Sequence, residues 1–364
     1  MADPERPVRL LLLVGRSTGG IGTHVAELAE HLRALGVSVR IATDDLTARR
    51  FGWADALQLW PAGGGPLVGA RRMRDLRAWA RHADIVHAHG LQAGIVAAAV
   101  AGPRSGAHRA QAGWGPRLVV SLHNEVPLLG GIRGRVAGGI ESAALRRADL
   151  VTGASSDLVE AARALGAARA ELALVPSPLV PTLLRATEAD RREARRAIRE
   201  GVDLPAGRPL VVTISRIAPQ KDLATLIGAA ARLRRQLDWI VAGSGVADLL
   251  TALRAEAEAT RAPVRFVGAV DDPGRLLLAA DVFVLTSTWE ARALVVQEAM
   301  AAGTPVVATD VGGLPDLAAG VGLLVPPGDP AAVAEAVEGL VHDSARAAAL
   351  AGQARARAAT WPDG

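Results

Sequence analysis

Runs of four to seven apolar residues, many of them β-branched, alternate along the chain with Ala-, Leu- and Arg-rich stretches of helical period. This is the pattern of parallel strands joined by crossover helices. In the first half it predicts strands at Val8–Val14, Val37–Thr43, Ile85–Ala88, Leu118–Leu122 and Leu150–Thr152. Helices are predicted at His24–Leu35, Met73–His82, Leu91–Ala101, Val136–Arg147 and Ser156–Leu165. The pattern then restarts, with strands at Leu210–Ser215, Trp239–Ala242, Val264–Val267, Val282–Leu285 and Val306–Ala308. Helices are predicted between them at Asp222–Arg234, Ala247–Ala259, Leu294–Ala302 and Pro330–Val341, and the Ala/Arg-rich tail after Ser344 reads as a solvated helix stopped by Pro362.

Between the halves, Val175–Pro181 carries three prolines and Thr187–Glu200 is densely charged with few apolar positions, which marks a linker. The expected organisation is a domain at residues 1–176, a linker at 177–207 and a second domain at 208–364. The fold class is α/β, with two Rossmann-like doubly wound parallel-sheet domains facing a central cleft. Ligands of such sheets bind outside the carboxyl ends of the strands, so function is sought in the loops that follow them.

Composition narrows the chemistry. With 364 residues, half of them hydrophobic, the chain can bury two cores, and disorder is excluded as its dominant state. It has no Cys and no Tyr, which removes disulfides, thiolate nucleophiles and cysteine metal clusters. No apolar run approaches the about 20 residues a membrane-spanning helix needs, so a cytoplasmic protein is expected. The net charge is +4, and the isoelectric point near 10.8 reflects a basic complement that is almost all Arg. Among 41 basic residues one is a lysine, Lys221, and the chain holds a single asparagine, Asn124. Nucleic acid is not an expected partner, since no aromatic platform accompanies the basic residues. The Arg-rich helix at Arg71–His82, with Trp79, could rest on an anionic membrane surface, although a solvated helix face is the commoner role of such a run.

Four loops carry candidate chemistry. Gly15–His24 (GRSTGGIGTH) is a glycine-rich turn opening into a helix, where backbone N–H groups and the helix dipole can meet an anion; a plain tight turn would look the same. SLHNEVP places His123, Asn124 and Glu125 at a strand's carboxyl end, where His suits hydrogen bonding to a sugar hydroxyl or phosphate, or capping of the strand. His87 and His89 are spaced i, i+2 without nearby carboxylates, which favours a structural or acceptor-lining role over a metal site. SRIAPQKD sets Arg216 and Lys221 five residues apart across a loop, a planar fork and a point charge suited to a diphosphate. The fourth loop leads from Thr286 to Leu317. It carries Glu290 before a helix and Glu298 inside it, with N–H groups near Ala293–Val295 open to an anion and a carboxylate able to bridge a vicinal diol.

The Glu-x7-Glu segment with EAMAAGTPVVATDVGGLP, the SR-x4-K loop, the TGGIGTHV entry and the SLHN turn together resemble the retaining glycosyltransferases of family 4, which have the GT-B fold. The resemblance spans nearly the whole chain in order and spacing. It implies a nucleotide-sugar donor, such as a UDP- or GDP-sugar, and a hydroxyl acceptor that is a sugar, a glycolipid or a small molecule. The positions matching Arg216, Lys221, Leu294 and Val295 would hold the donor diphosphate, and Glu298 the ribose. Glu290 and His123 would lie beside the transferred sugar, Gly19 and Gly20 would approach the sugar and diphosphate from the other domain, and the Gly268–Val270 loop, centred on Ala269, would hold the base. No cofactor is implied, and the lack of an Asp-x-Asp agrees with chemistry that needs no metal. Peripheral contact with the inner membrane face and a place in cell-envelope glycan, glycolipid or natural-product glycoside synthesis are compatible with it.

Three departures accompany the resemblance. Glu290-Ala291-Arg292-Ala293 stands where the family has Glu-Gly-Phe-Gly, which leaves Arg292 available to a donor carboxylate or phosphate. Ser177-Pro178 replaces an Asn-Gly at the hinge. The chain stops at TWPDG, short of a closing helix that crosses back, so a looser domain pair is expected. Rival readings are a sugar-nucleotide epimerase or hydrolase of the same fold, a non-catalytic sugar-nucleotide-binding protein, and a dinucleotide-dependent oxidoreductase suggested only by VAGSGV at Val241–Val246.

Overall fold

The computed structural model describes residues 6–17, 19–59, 65–101, 115–125, 131–205, 207–234 and 236–362. The chain divides into two units, one ending at Val175 and one running Pro176–Asp363.

The first unit is built on a parallel sheet of seven strands: β1 (Arg9–Val14), β2 (Ser38–Thr43), β3 (Leu57–Gln58), β4 (Ile85–His89), β5 (Arg117–Leu122), β6 (Leu150–Gly153) and β7 (Ala170–Leu172). Their spatial order is β3-β2-β1-β4-β5-β6-β7. The five strands expected from sequence are all present to within a residue at each end. β3 and β7, of two and three residues, are too short to show any periodicity. Leu10, Leu12 and Val14 of β1 pack against Val25 and Ala29 of the following helix.

The second unit has six parallel strands: β8 (Leu210–Ile214), β9 (Asp238–Ala242), β10 (Val264–Gly268), β11 (Val282–Leu285), β12 (Val306–Thr309) and β13 (Leu323–Val325). The order is β10-β9-β8-β11-β12-β13. Trp239, fully buried, is satisfied at its one polar atom by donating to Thr213 Oγ1 (3.1 Å), whose hydroxyl donates to the Val284 carbonyl (2.8 Å). That stitches β9, β8 and β11 together at their centre.

One local device recurs in both sheets. Asp84, Asp149 and Asp281 each stand immediately before a strand, and each carboxylate accepts from the backbone N–H of the neighbouring strand, at Arg9, Leu118 and Leu210, at 2.8 Å in all three cases. An N–H held by a carboxylate in this way pins β4 to β1, β6 to β5 and β11 to β8 at the ends opposite the carboxyl edge.

Four expectations are corrected. Residues 177–207 are not a free linker: helices at Val180–Arg185 and Glu188–Gly201 place Val180, Leu183, Ala194 and Leu204 in the second unit's core. The Glu188–Gly201 helix looked too charged because its apolar stripe is narrow and Ala194 alone is fully buried; a Thr187–Asp190 capping box starts it. The tail helix, Ser344–Ala358, is docked rather than solvated. Ala351, Ala354 and Ala358 are buried, and Arg355 and Arg357 donate to the carbonyls of Leu184, Ala186, Leu317 and Ala319. Alanine gave the tail no visible apolar stripe, yet small side chains allow close packing. The helix expected from His24 begins at Gly20: glycines disfavour helix in isolation, but Ser17 Oγ accepts from the Gly22 N–H (2.8 Å) and secures the first turn. Finally, the helix expected at Met73–His82 runs Gly65–Arg81, and Trp79 on it sits half-buried with the Arg40 guanidinium 4.9 Å over its ring.

Candidate active site

In each sheet the strand order reverses once, and the candidate residues other than Ala269 follow strands at or beside these two places. Such reversals open a crevice at the carboxyl edge because the connections on either side run to opposite faces.

In the first unit the reversal falls between β1 and β4. Gly19 caps the helix that follows β1 and Gly20 begins it, which leaves the first N–H groups of that helix without intrahelical partners. His24 lies one turn further on. His89 ends β4 and is buried, and His123 follows β5. The His89 Nδ1 and His123 Nε2 atoms share a hydrogen bond at 3.1 Å, with the two rings stacked at 5.4 Å. The His24 ring lies 5.7 Å from that of His89 and 5.6 Å from that of His123. His87 packs on His89 at 4.2 Å and is held by Ser121 Oγ (2.7 Å), itself bonded to Thr152 Oγ1 (2.6 Å). Asn124 and Glu125 are exposed. Sequence reading treated these histidines separately; nothing local to His24 or His89 announces that strand order brings them to His123.

Burial drives this cluster toward the neutral form. The His123 ring is pushed down to about 3 and His87 to about 4, chiefly by burial and then by neighbouring imidazoles, and His24 and His89 are lowered for the same first reason. An unfolded chain protonates these rings near pH 6.5, whereas in the folded chain His87 stays neutral to about pH 4 and His123 to about pH 3. Stability is therefore unaffected above about pH 6.5 and is lost as pH falls toward 4, by about 1.4 kcal/mol per pH unit for each ring kept neutral. Denaturant midpoints measured from pH 7.5 to 4.5 are expected to fall below 6.5; a flat profile would contradict burial of the cluster.

In the second unit the reversal falls between β8 and β11. The chain leaving β8 passes Arg216, exposed and without an ion-pair partner among the described residues, and enters a short turn at Pro219–Lys221. Asp222, in the left-handed region at φ 42°, caps the next helix by accepting from the Thr225 N–H (3.3 Å). Lys221 thus has no capping duty. Its Nζ donates to Glu290 Oε1, an oxygen that also accepts from Ser287 Oγ (2.6 Å), and the pair is largely buried. The loops after β8 and β11 are laced together. Thr286 Oγ1 donates to the Lys221 and Asp222 carbonyls (3.0 Å each), Thr288 N–H to the Gln220 carbonyl (2.8 Å), and Gln220 Nε2 to the Trp289 carbonyl (2.6 Å).

Glu290 also accepts, at its carbonyl, from the Gly313 N–H (2.8 Å). Gly312, at φ 52°, has no room for a Cβ, which would overlap that carbonyl. The helix Leu294–Ala301 follows, with Leu294 and Val295 half-exposed at its N-terminus. Glu298, buried within it, accepts from Ser177 Oγ (2.6 Å); burial raises the pKa of its carboxyl and the Ser177 bond opposes the rise. Ser177 is a partner that sequence reading saw only as a departure at the hinge. Ala269 is exposed on the loop after β10, two strands from β8, and the Gly268 carbonyl accepts from the Gly243 N–H (2.7 Å).

Two further expectations change. Arg292 is turned onto Trp361, its guanidinium 5.5 Å over the ring and partly buried, with Asp316 the acidic influence on it; it is not held out toward a ligand. The glycines of VAGSGV are required by packing. A Cβ at Gly243 would overlap the Ser215 carbonyl, and one at Gly245 the Ile217 carbonyl. These contacts account for the motif without a dinucleotide.

Two doubly wound parallel sheets in one chain, the second with a lysine–carboxylate pair and a helix N-terminus at its strand-order reversal, fit the GT-B class of glycosyltransferases. The family comparisons agree: residues 19–178 match the Glycosyl transferase 4-like domain and residues 194–357 the Glycosyl transferases group 1 family, and the chain belongs to this glycosyltransferase family. It is 30% identical to a D-inositol 3-phosphate glycosyltransferase of Kineococcus radiotolerans, over 93% of this chain and 86% of that protein. It is also 30% identical to an alpha-maltose-1-phosphate synthase of Mycolicibacterium smegmatis, over 90% and 88%. Among solved structures, Anabaena Alr3699/HepE in complex with UDP superposes with a TM-score of 0.81 at 22% identity, covering 97% of this chain and 95% of that one. Among the described residues no helix is long and apolar enough to cross a membrane.

Proposed function

We propose that this glycosyltransferase is a retaining enzyme that moves a sugar from a nucleoside diphosphate to a hydroxyl acceptor, with no metal ion in the chemical step. The observation that carries the reading is the convergence of Lys221, Glu290 and the Leu294–Val295 helix terminus at one edge of the second sheet. The activities of the relatives, an inositol phosphate glycosyltransferase and a maltose phosphate synthase by name, and the UDP and UDP-glucose complexes of the structural neighbour lend it support.

In the proposed reaction the bond between the sugar's anomeric carbon and the diphosphate oxygen breaks. The acceptor oxygen bonds to that carbon on the same face, and the acceptor proton passes to a phosphate oxygen of the leaving group. Negative charge grows on the diphosphate as its bond to carbon lengthens. Fixed cations and aligned amides therefore stabilise the transition state more than the bound donor. A lysine ammonium has three donors, so Lys221 can keep Glu290 in place with one and offer others to the diphosphate. Arg216 would take a second phosphate position, Glu298 the ribose hydroxyls, and the Gly268–Val270 loop the base. A ring with a pKa near 3 is a poor base at neutral pH, so His123 is assigned hydrogen bonding to a hydroxyl of the sugar rather than proton removal.

The test is a thermal-shift screen against UDP, GDP, ADP and their sugars, followed by product analysis with and without acceptors. One nucleotide series is expected to stabilise the protein. Glu298→Ala should abolish the shift, while His123→Ala should retain it and lose turnover by about tenfold, the worth of one neutral hydrogen bond. No shift with any nucleotide would overturn the reading, and water-only products would assign the protein as a hydrolase.

A further inference from the structure

His24, His89 and His123 come from three separate elements, and one ring nitrogen of each lies within 4.8 Å of one on each of the others. Neutral imidazole is the commonest transition-metal ligand, and three imidazoles with a fourth position open form a recognised zinc donor set. At zinc–nitrogen distances of about 2.0–2.1 Å, two ligands of a tetrahedral ion lie about 3.3–3.4 Å apart. The 3.1 Å between His89 Nδ1 and His123 Nε2 is close to such an edge already.

The third ligand has little to travel. His24 sits near the start of its helix, its ring within 5.7 Å of both others, and its ligand atom lies within 4.8 Å of theirs, against about 3.3–3.4 Å for the edge of a tetrahedral ion. Beneath them His89 packs on His87, which is itself held by Ser121 and Thr152. The all-nitrogen set selects against magnesium and calcium, which prefer oxygen, and in favour of zinc-class ions.

We propose that His24, His89 and His123 bind one divalent ion of the zinc class, and that the ion reversibly blocks sugar transfer by engaging His123. The binding stands on geometry alone; the blocking rests on the sugar-side role assigned to His123 above. An inhibitory ion at this place is compatible with chemistry that itself uses no metal, because the donor diphosphate is assigned to residues of the second unit.

The experiment uses the full chain without a histidine tag, dialysed against chelator and titrated with Co²⁺, then back-titrated with Zn²⁺. One Co²⁺ per chain is expected, with the strong visible absorption of a tetrahedral site, displaced by Zn²⁺. His24→Ala and His24→Gln should weaken binding at least about tenfold, since even groups one shell further out are worth 10–100-fold. His31→Ala, on the same helix but exposed and bonded to the Glu27 carbonyl, should bind as the parent does. Zinc-edge X-ray absorption of the parent should report three imidazole nitrogens, a readout that stands even if the His24 variants fail to fold. Equal affinity in the parent and folded His24 variants, or fewer than three imidazoles, overturns the site. Zn²⁺ should suppress transfer in the parent, chelator should restore it, and nucleotide-induced thermal shifts should persist throughout. An ion bound by the three rings while transfer proceeds unchanged would overturn the blocking and the role of His123, leaving the binding intact. Loss of the nucleotide shift would instead count against the donor assignment.

Discussion

Lys221→Ala is expected to lower turnover by about 10²–10³-fold, the usual effect of removing one preorganised donor from a site where negative charge develops. The loss should fall on turnover more than on donor affinity, because the attraction grows as the diphosphate leaves. The structure adds a second consequence. Lys221 is the ion-pair partner of Glu290, and both side chains are largely buried, so its removal strands a carboxylate with Ser287 as its remaining side-chain hydrogen bond. Breaking such a pair commonly costs about 3–5 kcal/mol. The two effects separate in a double variant. Lys221→Ala with Glu290→Gln should recover much of the stability, because the stranded charge is gone, and none of the turnover. Steady-state kinetics beside denaturant unfolding of the parent, single and double variants measures both. A single variant that turns over within twofold of the parent would remove Lys221 from the site.

Gly243→Ala is expected to be the most damaging small substitution in the second unit, destabilising it by about 3 kcal/mol or more. Gly243 has φ 143°, a conformation that L side chains rarely adopt, and an added Cβ would overlap the carbonyl carbon and oxygen of Ser215. Backbone cannot move aside as the end of a flexible side chain can. The chain at Ser215 leads directly into Arg216 and the Lys221 turn, so the same substitution should weaken nucleotide binding as the loop shifts. Gly36→Ala provides the comparison. Its φ is 83°, but nothing lies within 4 Å of the added carbon, so conformational strain alone applies, at about 1 kcal/mol. Equal stability loss at the two positions would mean that crowding against Ser215 is not what Gly243 relieves.

Much of the fold could be read from the chain because the signals are local. Leu10–Val14 is a strand flanked by polar residues, and its buried run reads as one whether or not its neighbours are known. The short strands Leu57–Gln58, Ala170–Leu172 and Leu323–Val325 could not be read, since two or three residues display no period and exist only by pairing with an adjacent edge. The docked tail helix was misread because its contact face is alanine, whose burial depends on what approaches it. Lys221 stood out as the one lysine among arginines, yet its partner was not evident, and Arg292 read as available to a ligand although Trp361 occupies its guanidinium face.

Taken alone, the order of residues determined which segments become strands and helices, and that the informative loops follow the strands. Both depend on hydrophobic period and turn chemistry within a dozen residues. Tertiary structure decided who meets whom: Lys221 with Glu290 across 69 positions, Ser177 with Glu298 across 121, and His24 with His89 and His123. These meetings follow from strand order. The sheet sets β1 beside β4 and β8 beside β11, so loops remote in the chain become neighbours at a shared edge, a relation that no local pattern encodes.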